Sequence, residues 1–430
     1  MLQIRLLVLG ICIFILIPAG VYAVTNTTYS VLLSPDNETY MEVIHIVIRG
    51  GTDEEIGYEL GRIGIIECDS VLVPFDSSIY GKAKEEYIRG YDSVLENRVK
   101  GIKQAYDLKE DDYTFDATFP VYVTRFPSCS AIYFPPVFTQ DGHAIAGRNM
   151  EWSYNPNLDV FTEIQDGNLQ EILIDRMGTL NHVVEIYPEE GYATIVIGTT
   201  DLLNGVVDGI NEEGLYVASL QDGDTYNDPL SSLAGGTTTG LNFMQTLRSV
   251  LEHCATVKEA KMRLLTSRIS MPFIGQHFLI CDDSGEATIA EFDNTSREVI
   301  FTDYNDTPVS LTNYAVHLKP DITKLAPENP QDTHDDYLRS AKLHQYINNH
   351  KGLFNTSDAW DAMAEVQANA DASSEGGLTG ETVRLLWTVV TDLTEKTMTV
   401  QFFLRDGPIS NEQYKTHDLI LSEPFTFTLK

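Results

Sequence analysis

The first part of the chain combines one strand-like pattern with two helical patterns. Residues 41–49, MEVIHIVIR, alternate apolar and polar positions with a period of two, which predicts a strand. In residues 50–64, GGTDEEIGYELGRIG, the two glycines predict a turn into a helix whose first turn carries Asp53 and two glutamates, where the helix dipole favours acidic groups. A longer helical pattern over 83–105 stops before the acidic stretch DLKEDDYTFD. We therefore interpret residues 40–128 as an N-terminal, mainly helical region.

After Cys129 the pattern changes to short β-like runs separated by turn residues. Helical patterns interrupt these runs at 240–252, 256–265, 334–348 and 357–369. Strands interleaved with pairs of packed helices predict an α+β layered domain. The predicted strands have the sequences AIYFPPVF, HAIAGRNM, LQEILI, HVVEIY, ATIVIG, NGVVDGI, LYVASL, HFLIC, EATIAEF, EVIFT, VSLTNYAV, RLLWTVVTD and MTVQFFLR.

The N-terminal 23 residues predict an exported protein. Arg5 is followed by an apolar stretch that ends in small residues, which is the layout of a secretory signal peptide. If cleavage after Ala23 does not occur, residues 6–23 approach the length of a single membrane anchor. We expect an extracellular or cell-surface location in both cases. Glycosylation triplets agree with export, although they recur by chance; they lie at Asn26, Asn37, Asn294, Asn305 and Asn355.

The charge balance narrows the classes of partner. The chain has 63 acidic and 29 basic residues, a net charge of −34, and a hydrophobic fraction of 43% that excludes general disorder. The negative electrostatic field around a chain of this charge repels phosphate backbones and anionic membranes, so we expect no nucleic-acid partner. Solubility outside the cell or adaptation to salt explains the acidity adequately. Whether the chain forms a homo-oligomer is left open.

Cysteine is rare outside the leader, and its four positions form no framework. No CxxC pair or histidine-rich spacing predicts a metal site, and no cofactor is expected. Cys254 and Cys281 lie in helical and strand patterns and are interpreted as buried apolar side chains, while Cys68 could pair with one of them in an oxidising compartment. At least one cysteine is then available for reactivity, and Cys129 is the candidate.

Cys129 lies in FPSCSAIYFPP, at the start of a predicted strand. A thiolate nucleophile needs a base, donors for the oxyanion and a cation nearby. No histidine falls in an obvious partner motif, and we interpret His143, His277, His317 and His334 as strand-end or loop residues. An alternative base arises if the Ser128–Cys129 bond is cut, because the new α-amino group has a pKa near 8. The sequence therefore predicts cleavage at Ser128–Cys129.

The hexapeptide GRNMEW supplies a guanidinium and a carboxylate. In a regular strand Asn149 and Glu151 share one face and Arg148 and Met150 the other. If the strand ends or bulges near Arg148, both Arg148 and Glu151 could approach Cys129. Taken alone, an arginine and a glutamate three residues apart are more often a solvated pair.

These motifs together resemble the N-terminal-nucleophile amide hydrolases, which include choloylglycine hydrolases, penicillin V acylases, isopenicillin-N acyltransferases and acid ceramidase relatives. The resemblance spans most of residues 45–407. It is carried, in chain order, by GTDEEIGYELG, Cys129 with GRNMEW, DGINEEGLYVASL, LTNYAVH, DDYLRSAKL and LWTVVTDLTEKTMTVQFFLRDG. The resemblance implies a four-layer αββα fold and a chain divided into the leader 1–23, an N-terminal segment 24–128 and a catalytic domain 129–430.

Three residues receive the central roles by this resemblance. Cys129 would be the nucleophile and, through its freed amine, the base. Arg148 would stabilise the thiolate. Glu151 would hold the α-amino group, at a position where most relatives have aspartate, so that the carboxylate is displaced by one methylene.

Three further residues are assigned by the same resemblance. Asn313 would donate its side-chain amide to the oxyanion, with Gln221 as a second donor, and Arg339 would be a second guanidinium. The alternatives are a turn residue for Asn313, a loop polar group for Gln221 and a surface helix charge for Arg339.

The implied activity is cleavage of a non-peptide linear amide through an acyl-enzyme on Cys129. Acyl transfer to an amine, and a secreted binding protein of the same fold that has lost activity, are the alternatives. The partner is then a small-molecule acyl amide. Six aromatic residues near the catalytic motifs could line an acyl pocket or belong to the core: Tyr133, Phe134, Phe138, Trp152, Tyr154 and Tyr226.

Overall fold

The computed structural model describes residues 25–35, 39, 41–68, 70–121, 127–154, 180–199, 205–224, 236–270, 275–293, 298–326, 334–370 and 382–430. The helices are α1 Asp53–Glu67, α2 Ser78–Tyr91, α3 Ser93–Ala105, α4 Phe243–His253, α5 Val257–Thr266, α6 Asp336–Asn349 and α7 Thr356–Ala364. The strands are β1 Asn26–Leu33, β2 Glu42–Arg49, β3 Val71–Pro74, β4 Phe115–Val121, β5 Pro127–Phe134, β6 Ile145–Tyr154, β7 Leu180–Tyr187, β8 Thr194–Gly198, β9 Asp208–Asn211, β10 Tyr216–Asp222, β11 Gly275–Cys281, β12 Glu286–Phe292, β13 Val299–Asn305, β14 Val309–Leu311, β15 Thr382–Asp392, β16 Thr397–Asn411, β17 Thr416–Leu421 and β18 Phe425–Thr428.

Within these ranges, nine strands form the larger sheet in the order β1-β2-β7-β8-β9-β10-β11-β12-β13. β2 and β7 run parallel, with Glu42–Arg49 opposite Leu180–Tyr187. A parallel pair needs a crossover connection, and this one contains α1, α2, α3, β5 and β6. The segment before residue 129 thus supplies two strands of the larger sheet, so the prediction of a mainly helical region was incomplete.

The smaller sheet contains the predicted nucleophile. Its order is β14-β5-β6-β15-β16-β17, with β18 also paired to β16, and its neighbours are antiparallel. The register of β5 and β6 is continuous from the Pro127–Trp152 pair to the Phe134–Ile145 pair. β3 and β4 form a separate two-stranded sheet.

Three apolar cores order the sheets and helices into layers. The central core lies between the two sheets and includes Ala131 of β5, Val183 of β7 and Val389 of β15. A second core joins the outer face of the larger sheet to α1–α5. A third joins the outer face of the smaller sheet to α6 and α7. The predicted α+β fold with four αββα layers is confirmed.

The long helix predicted over 83–105 is instead two helices, α2 and α3, that meet at Asp92. The Asp92 backbone is extended, and its carboxylate accepts a hydrogen bond from the Leu95 N–H, which caps α3. The same carboxylate accepts hydrogen bonds from Ser249 at 2.6 Å and Arg263 at 2.8 Å. A buried acid with partners on α4 and α5 therefore interrupts an otherwise continuous helical pattern.

Close packing of α1 against α3 depends on two glycines. A Cβ atom on Gly57 would lie 2.2 Å from the Arg98 carbonyl oxygen, and one on Gly101 would lie 1.9 Å from the Glu54 carbonyl oxygen. These distances are far below van der Waals contact, so any side chain would push the helices apart. The pairing of the two helices fixes the N-terminal segment against the outer face of the larger sheet.

Several sequence predictions need correction or lie outside the described ranges. The strand predicted over VSLTNYAV is shorter, because β14 ends at Leu311 and a turn follows. The helix predicted to reach residue 369 ends at Ala364. Cys254 and Cys281 are free and buried, so the suggested disulfide between Cys68 and one of them is absent. The leader, LQEILI, Asn37, Asn294 and Tyr226 lie outside the described residues.

Two glycosylation triplets within the described chain lie on exposed strand ends, at Asn26 and Asn305. The third, Asn355, is half-buried, and its side chain caps α7 by accepting hydrogen bonds from the N–H groups of Ser357 and Asp358. Across the described ranges, no helix is both long and apolar enough to span a bilayer.

Candidate active site

Cys129 lies in β5 with its side chain in the central core. It pairs in register with Met150 of β6, and it is 0% exposed. Alternation along β5 directs Cys129, Ala131 and Tyr133 to the central core and Ile132 to the outer core. The thiol therefore faces the larger sheet and is closed off from solvent in the uncleaved chain.

Both backbone polar groups of Cys129 are held by side chains. The Cys129 N–H donates to Asn313 Oδ1 at 2.8 Å, and its carbonyl oxygen accepts a hydrogen bond from Arg339 Nη1 at 2.5 Å. These are the nitrogen and carbonyl of the residue that cleavage would make N-terminal. The peptide on one side of the predicted scissile bond is thus fixed by two residues from distant parts of the chain.

The side chain of Asn313 contacts Cys129, Arg339 and Gln221. Its Oδ1 also accepts a hydrogen bond from Arg339 Nη2 at 2.9 Å, while its Nδ2 donates to the Gln221 carbonyl at 2.8 Å. A backbone N–H and a guanidinium can only donate, and a carbonyl can only accept, so the orientation of the amide is determined. The second Nδ2 hydrogen is available for another acceptor.

The thiol itself contacts Arg148. Arg148 Nη2 lies 3.0 Å from Cys129 Sγ, and Arg148 Nη1 forms a 2.6 Å ion pair with Asp208 of β9. Both charged groups are completely buried. Asp208 also accepts hydrogen bonds from Trp387 Nε1 at 2.9 Å and the Tyr216 hydroxyl at 3.2 Å. Burial alone would lower the pKa of Arg148, but the carboxylate of Asp208 raises it, so the guanidinium stays charged.

Opposing effects act on the pKa of the Cys129 thiol. Burial raises the pKa of the Cys129 thiol above its ordinary value, Arg148 acts to lower it, and Glu151 and Asp208 raise it further. The net shift is upward, so the thiol is protonated at neutral pH in the uncleaved chain. Arg148 is the group that makes ionisation accessible.

Glu151 lies on the opposite face of β6 from Arg148, and β6 has no bend between them in its pairing with β5. Because the register of β5 with β6 is continuous, Arg148 and Met150 face the central core and Glu151 faces the outer helices. Glu151 Oε1 accepts a hydrogen bond from the Ala368 N–H at 3.2 Å. Glu151 is thus next to the predicted cleavage site, but the nitrogen of Cys129 is held by Asn313 and not by Glu151.

His334 joins Glu151 to the residue before the nucleophile. Its Nε2 lies 3.1 Å from Glu151 Oε2 and 3.1 Å from Ser128 Oγ. Ser128 Oγ also donates to Asn313 Oδ1 at 3.3 Å. One nitrogen makes both contacts, so this is a positioning cluster for Ser128 and not a relay through the two nitrogens of one ring.

Arg339 of α6 is completely buried at the site, where the sequence left open a surface charge. Its Nε donates to the His334 carbonyl and its Nη1 to Ser130 Oγ, and Nη2 also pairs with Asp336. Gln221 contributes only its carbonyl oxygen. Because Leu220 faces the central core, alternation along β10 directs the Gln221 side chain to the other face, away from Cys129.

Sequence reasoning missed Asp208 and His334. Asp208 is an acid inside the apolar run VVDGI, and an ionised side chain in a buried strand needs a charged partner. That signal was present, but it did not identify Arg148 as the partner. His334 has no motif; only the fold brings it to Glu151.

The aromatic residues do not form one group. Trp152 lies in the central core, two residues beyond Met150 on the same face of β6. Phe134 stacks on Phe354 in the outer core with ring centroids 4.0 Å apart, Tyr133 donates to the Asp282 carbonyl, and Phe138 is 40% exposed. Trp152 is thus the member of the predicted set that lies beside the site. The side chains of Tyr154 and Tyr226 lie outside the described residues.

Among the described side chains, one cluster of three could hold a metal ion. It consists of Asp222, His277 and Glu291, and it shares no residue with the Cys129 site.

The chain is similar to one family model and to several solved structures. The model of the family "Acyl-coenzyme A:6-aminopenicillanic acid acyl-transferase" matches residues 176–403. Among solved structures, a mutant of conjugated bile acid hydrolase from Clostridium perfringens is 17% identical, covering 70% of this chain and 97% of that one, with a TM-score of 0.44. Penicillin V acylase from Agrobacterium tumefaciens is 14% identical, covering 64% and 83%, with a TM-score of 0.42. A search of curated proteins finds no match.

Proposed function

The chain belongs to the acyl-coenzyme A:6-aminopenicillanic acid acyl-transferase family of N-terminal-nucleophile amide hydrolases and acyltransferases. From this membership and the site we propose that it is a self-processing cysteine enzyme. Cleavage of Ser128–Cys129 creates the nucleophile, and the mature site then breaks a non-peptide linear amide through an acyl-enzyme on Cys129.

One observation carries the proposal: every polar atom of Cys129 contacts a residue suited to its role. Sγ lies 3.0 Å from Arg148, the nitrogen is bonded to Asn313 and the carbonyl to Arg339. Cys281 is an equally buried cysteine in the facing sheet, and burial and Asp282 raise the pKa of its thiol without an opposing cation. This contrast supports Cys129, and not Cys281, as the proposed nucleophile.

We infer the following processing reaction. Cys129 Sγ attacks the Ser128 carbonyl carbon, a thioester forms, the carbon–nitrogen bond breaks, and the thiol proton ends on the released nitrogen. Water then hydrolyses the thioester to a Ser128 carboxylate and a free thiol. Asn313 Oδ1 holds the leaving nitrogen, and His334 holds the Ser128 side chain on the acyl side.

In the mature enzyme the freed α-amine of Cys129 acts as the base. It takes the thiol proton, and the thiolate attacks the substrate carbonyl. The second Nδ2 hydrogen of Asn313 is our proposed donor to the oxyanion. Since Cys129 is 0% exposed in the uncleaved chain, the precursor should have no amidase activity.

Hydrolysis and acyl transfer differ only in what releases the acyl-enzyme, and the family's description favours an amine acceptor as the second candidate. Hydroxylamine added during turnover distinguishes them. An acyltransferase diverts most acyl groups to the hydroxamate at low acceptor concentration, whereas a hydrolase releases mainly the free acid.

Met150 Sδ lies 4.0 Å from Cys129 Sγ, and Trp152 lies two residues farther along the same face of β6. We therefore propose an apolar acyl group as the substrate's reactive half. Export remains part of the proposal; the exposure of Asn26 and Asn305 is compatible with it. A membrane anchor through residues 6–23 and a homo-oligomer are further proposals that the described residues do not address.

The decisive experiment is denaturing electrophoresis with intact-mass analysis of the expressed chain. Wild type and Cys281→Ala should both yield a fragment beginning at Cys129, while Cys129→Ala should remain one chain. If all three give the same uncut mass, self-processing is wrong and an inactive binding protein of this fold becomes the better interpretation. A panel of acyl amides with a free-amine assay then tests turnover.

A further inference from the structure

A second cluster of functional side chains lies at the ends of three adjacent strands of the larger sheet. Asp222 is the last residue of β10, His277 lies in β11, and Glu291 lies in β12. Alternation with Leu220, Leu279 and Ile289 directs all three to the central side of the sheet. Each is 0% exposed, and one potential ligand atom from each lies within 4.8 Å of the other two.

His277 is the unusual member. Neither of its ring nitrogens makes a hydrogen bond of normal length and angle to a described residue, although the side chain is completely buried and the Glu291 carboxylate and the Thr312 backbone lie close to it. The Glu291 Oε1 atom lies 3.7 Å from its Nδ1, beyond normal hydrogen-bond distance. A neutral imidazole has one donor and one acceptor, and leaving both unsatisfied in a protein interior is unfavourable. A cation between the imidazole and the carboxylates would remove the deficit.

The three groups have the chemistry of a divalent metal site. Neutral imidazole and carboxylates are ligands for Zn²⁺, Mn²⁺ and Co²⁺. Two carboxylates and one divalent cation sum to zero charge, which suits a completely buried location better than two carboxylates alone.

The carboxylate of Glu291 is also held in place by hydrogen bonds from two backbone N–H groups. Its Oε1 accepts from the Val316 N–H at 2.6 Å and its Oε2 from the His317 N–H at 2.8 Å. Hydrogen bonds of this kind to a metal-binding carboxylate are typical of metal centres. His317 Nδ1 has no hydrogen bond, although it lies 3.2 Å from Glu291 Oε2, so it flanks the cluster as a further nitrogen.

We propose that Asp222, His277 and Glu291 bind one divalent transition-metal ion. The sequence predicted no metal, because the ligands are separated by 55 and 14 positions and follow no local spacing. The fold brings them together by placing β10, β11 and β12 side by side.

The ion has a structural role for the loop that carries Asn313. Glu291 holds Val316 and His317, and the Gly223 N–H, next to Asp222, donates to the Asn313 carbonyl at 2.9 Å. A metal ion bound to both Asp222 and Glu291 would therefore connect the two groups of hydrogen bonds that hold this loop, one through Gly223 and one through Glu291. The ion stabilises the fold and positions Asn313 without contacting the substrate.

Metal content and thermal unfolding of the full chain test the site. Elemental analysis of protein purified without chelator should find about one Zn²⁺, Mn²⁺ or Co²⁺ per chain. Chelated protein titrated with Zn²⁺ or Mn²⁺ should gain about 5 °C in its unfolding midpoint when free metal is a hundredfold above its dissociation constant. His277→Gln should lose both effects, and His182→Gln, a change at a buried histidine of the same sheet, should keep them.

The readouts are independent of catalysis, and repeating them in Cys129→Ala separates this site from the proposed function. Absence of metal in wild type together with no thermal shift overturns the proposal, and the cluster is then a buried imidazolium with two carboxylates. Equal metal binding by His277→Gln also overturns it. If His277→Gln does not fold, the chelation and reconstitution of wild type decide.

Discussion

At the scale of single residues, a substitution of Ser128 should change the rate of self-cleavage without changing the turnover of substrate. Its hydroxyl contacts His334 and Asn313, and these contacts orient the carbonyl that Cys129 would attack. Ser128→Ala should slow self-cleavage by about tenfold, which corresponds to the net contribution of one hydrogen bond. Time courses of cleavage by intact mass measure this.

Once matured, the Ser128→Ala protein should hydrolyse acyl amides with little change in kcat/KM, because residue 128 is on the other side of the cut. Ser130→Ala is the matched control for loss of a buried hydroxyl in β5, since Ser130 contacts Arg339 and not the acyl side. Normal cleavage by Ser128→Ala would contradict the role of this hydroxyl.

If Cys129 is the nucleophile, we expect Arg148 to set the pH at which it becomes reactive. Burial raises the pKa of the thiol and Arg148 lowers it, so removing the guanidinium moves that pKa further up. Each unit of upward shift reduces the thiolate fraction about tenfold at any pH below the pKa. Arg148→Gln should therefore move the pH–rate profile of cleavage to higher pH and slow the reaction at least tenfold at neutral pH.

Asp208 provides the control, because Arg148→Gln also leaves a buried carboxylate without its partner. Removing one member of such a pair costs about 3–5 kcal/mol of stability. The double variant Arg148→Gln/Asp208→Asn should recover much of this loss, measured by urea unfolding. Its pH profile should stay above that of wild type, although less so than in Arg148→Gln, because Asp208 itself raises the pKa of the thiol. A profile that returns fully to that of wild type would mean that Arg148 acts only as a structural residue.

The structure brings Arg148, Asn313 and Arg339 into contact with Cys129, as the family resemblance of their motifs implies, and their catalytic roles are proposals. The sequence was insufficient for Asp208 and His334, whose partners are 60 and 183 positions away in the chain. The resemblance directed Glu151 to the Cys129 nitrogen, but a regular strand places its side chain on the other face. Contacts that depend on register and on sheet packing are therefore the ones that motifs do not supply.

At the scale of elements, the closest helix contact depends on glycine in α3. Helix propensity favours alanine over glycine by about 1 kcal/mol, so a glycine-to-alanine change in an open helix should stabilise. At Gly101 a Cβ would lie 1.9 Å from the Glu54 carbonyl, whereas at Gly90 of α2 nothing lies within 4 Å. Gly101→Ala should therefore destabilise by about 2 kcal/mol or more, as overpacking does.

Gly90→Ala is the matched control and should be neutral or stabilising by up to about 1 kcal/mol. Thermal or urea unfolding of both variants measures the difference. Equal effects of the two changes would show that α1 and α3 do not pack as closely as described.

The boundaries of elements were predictable where local chemistry sets them and not where tertiary contacts do. GGTDEEIG places the start of α1 correctly, because Thr52 and Glu55 form a capping box there. The break at Asp92 escaped prediction, because its cause is Arg263 and Ser249 on other helices. The strands β1, β17 and β18 were not predicted. β1 and β17 are the last strands in the order of their sheets, and β18 is only four residues long.

At the scale of the whole molecule, cutting Ser128–Cys129 should divide the chain without dividing the fold. β2 pairs with β7 over eight residues, from Glu42 opposite Leu180 to Arg49 opposite Tyr187. The helices α1–α3 bury their apolar faces in the second core, on the outer face of the larger sheet. Releasing the N-terminal piece would remove two strands from the larger sheet and expose that core to water, which is strongly unfavourable.

We therefore expect size-exclusion chromatography of matured protein to give one species that contains both pieces in equal amounts. Denaturant should separate them, and removing it slowly should restore amidase activity only when both pieces are present. Elution of a folded, active C-terminal piece alone would contradict this, because β7 would then have to be stable as an exposed edge beside an uncovered apolar core. Uncleaved Cys129→Ala serves as the size standard, since matured wild type should elute at the same volume.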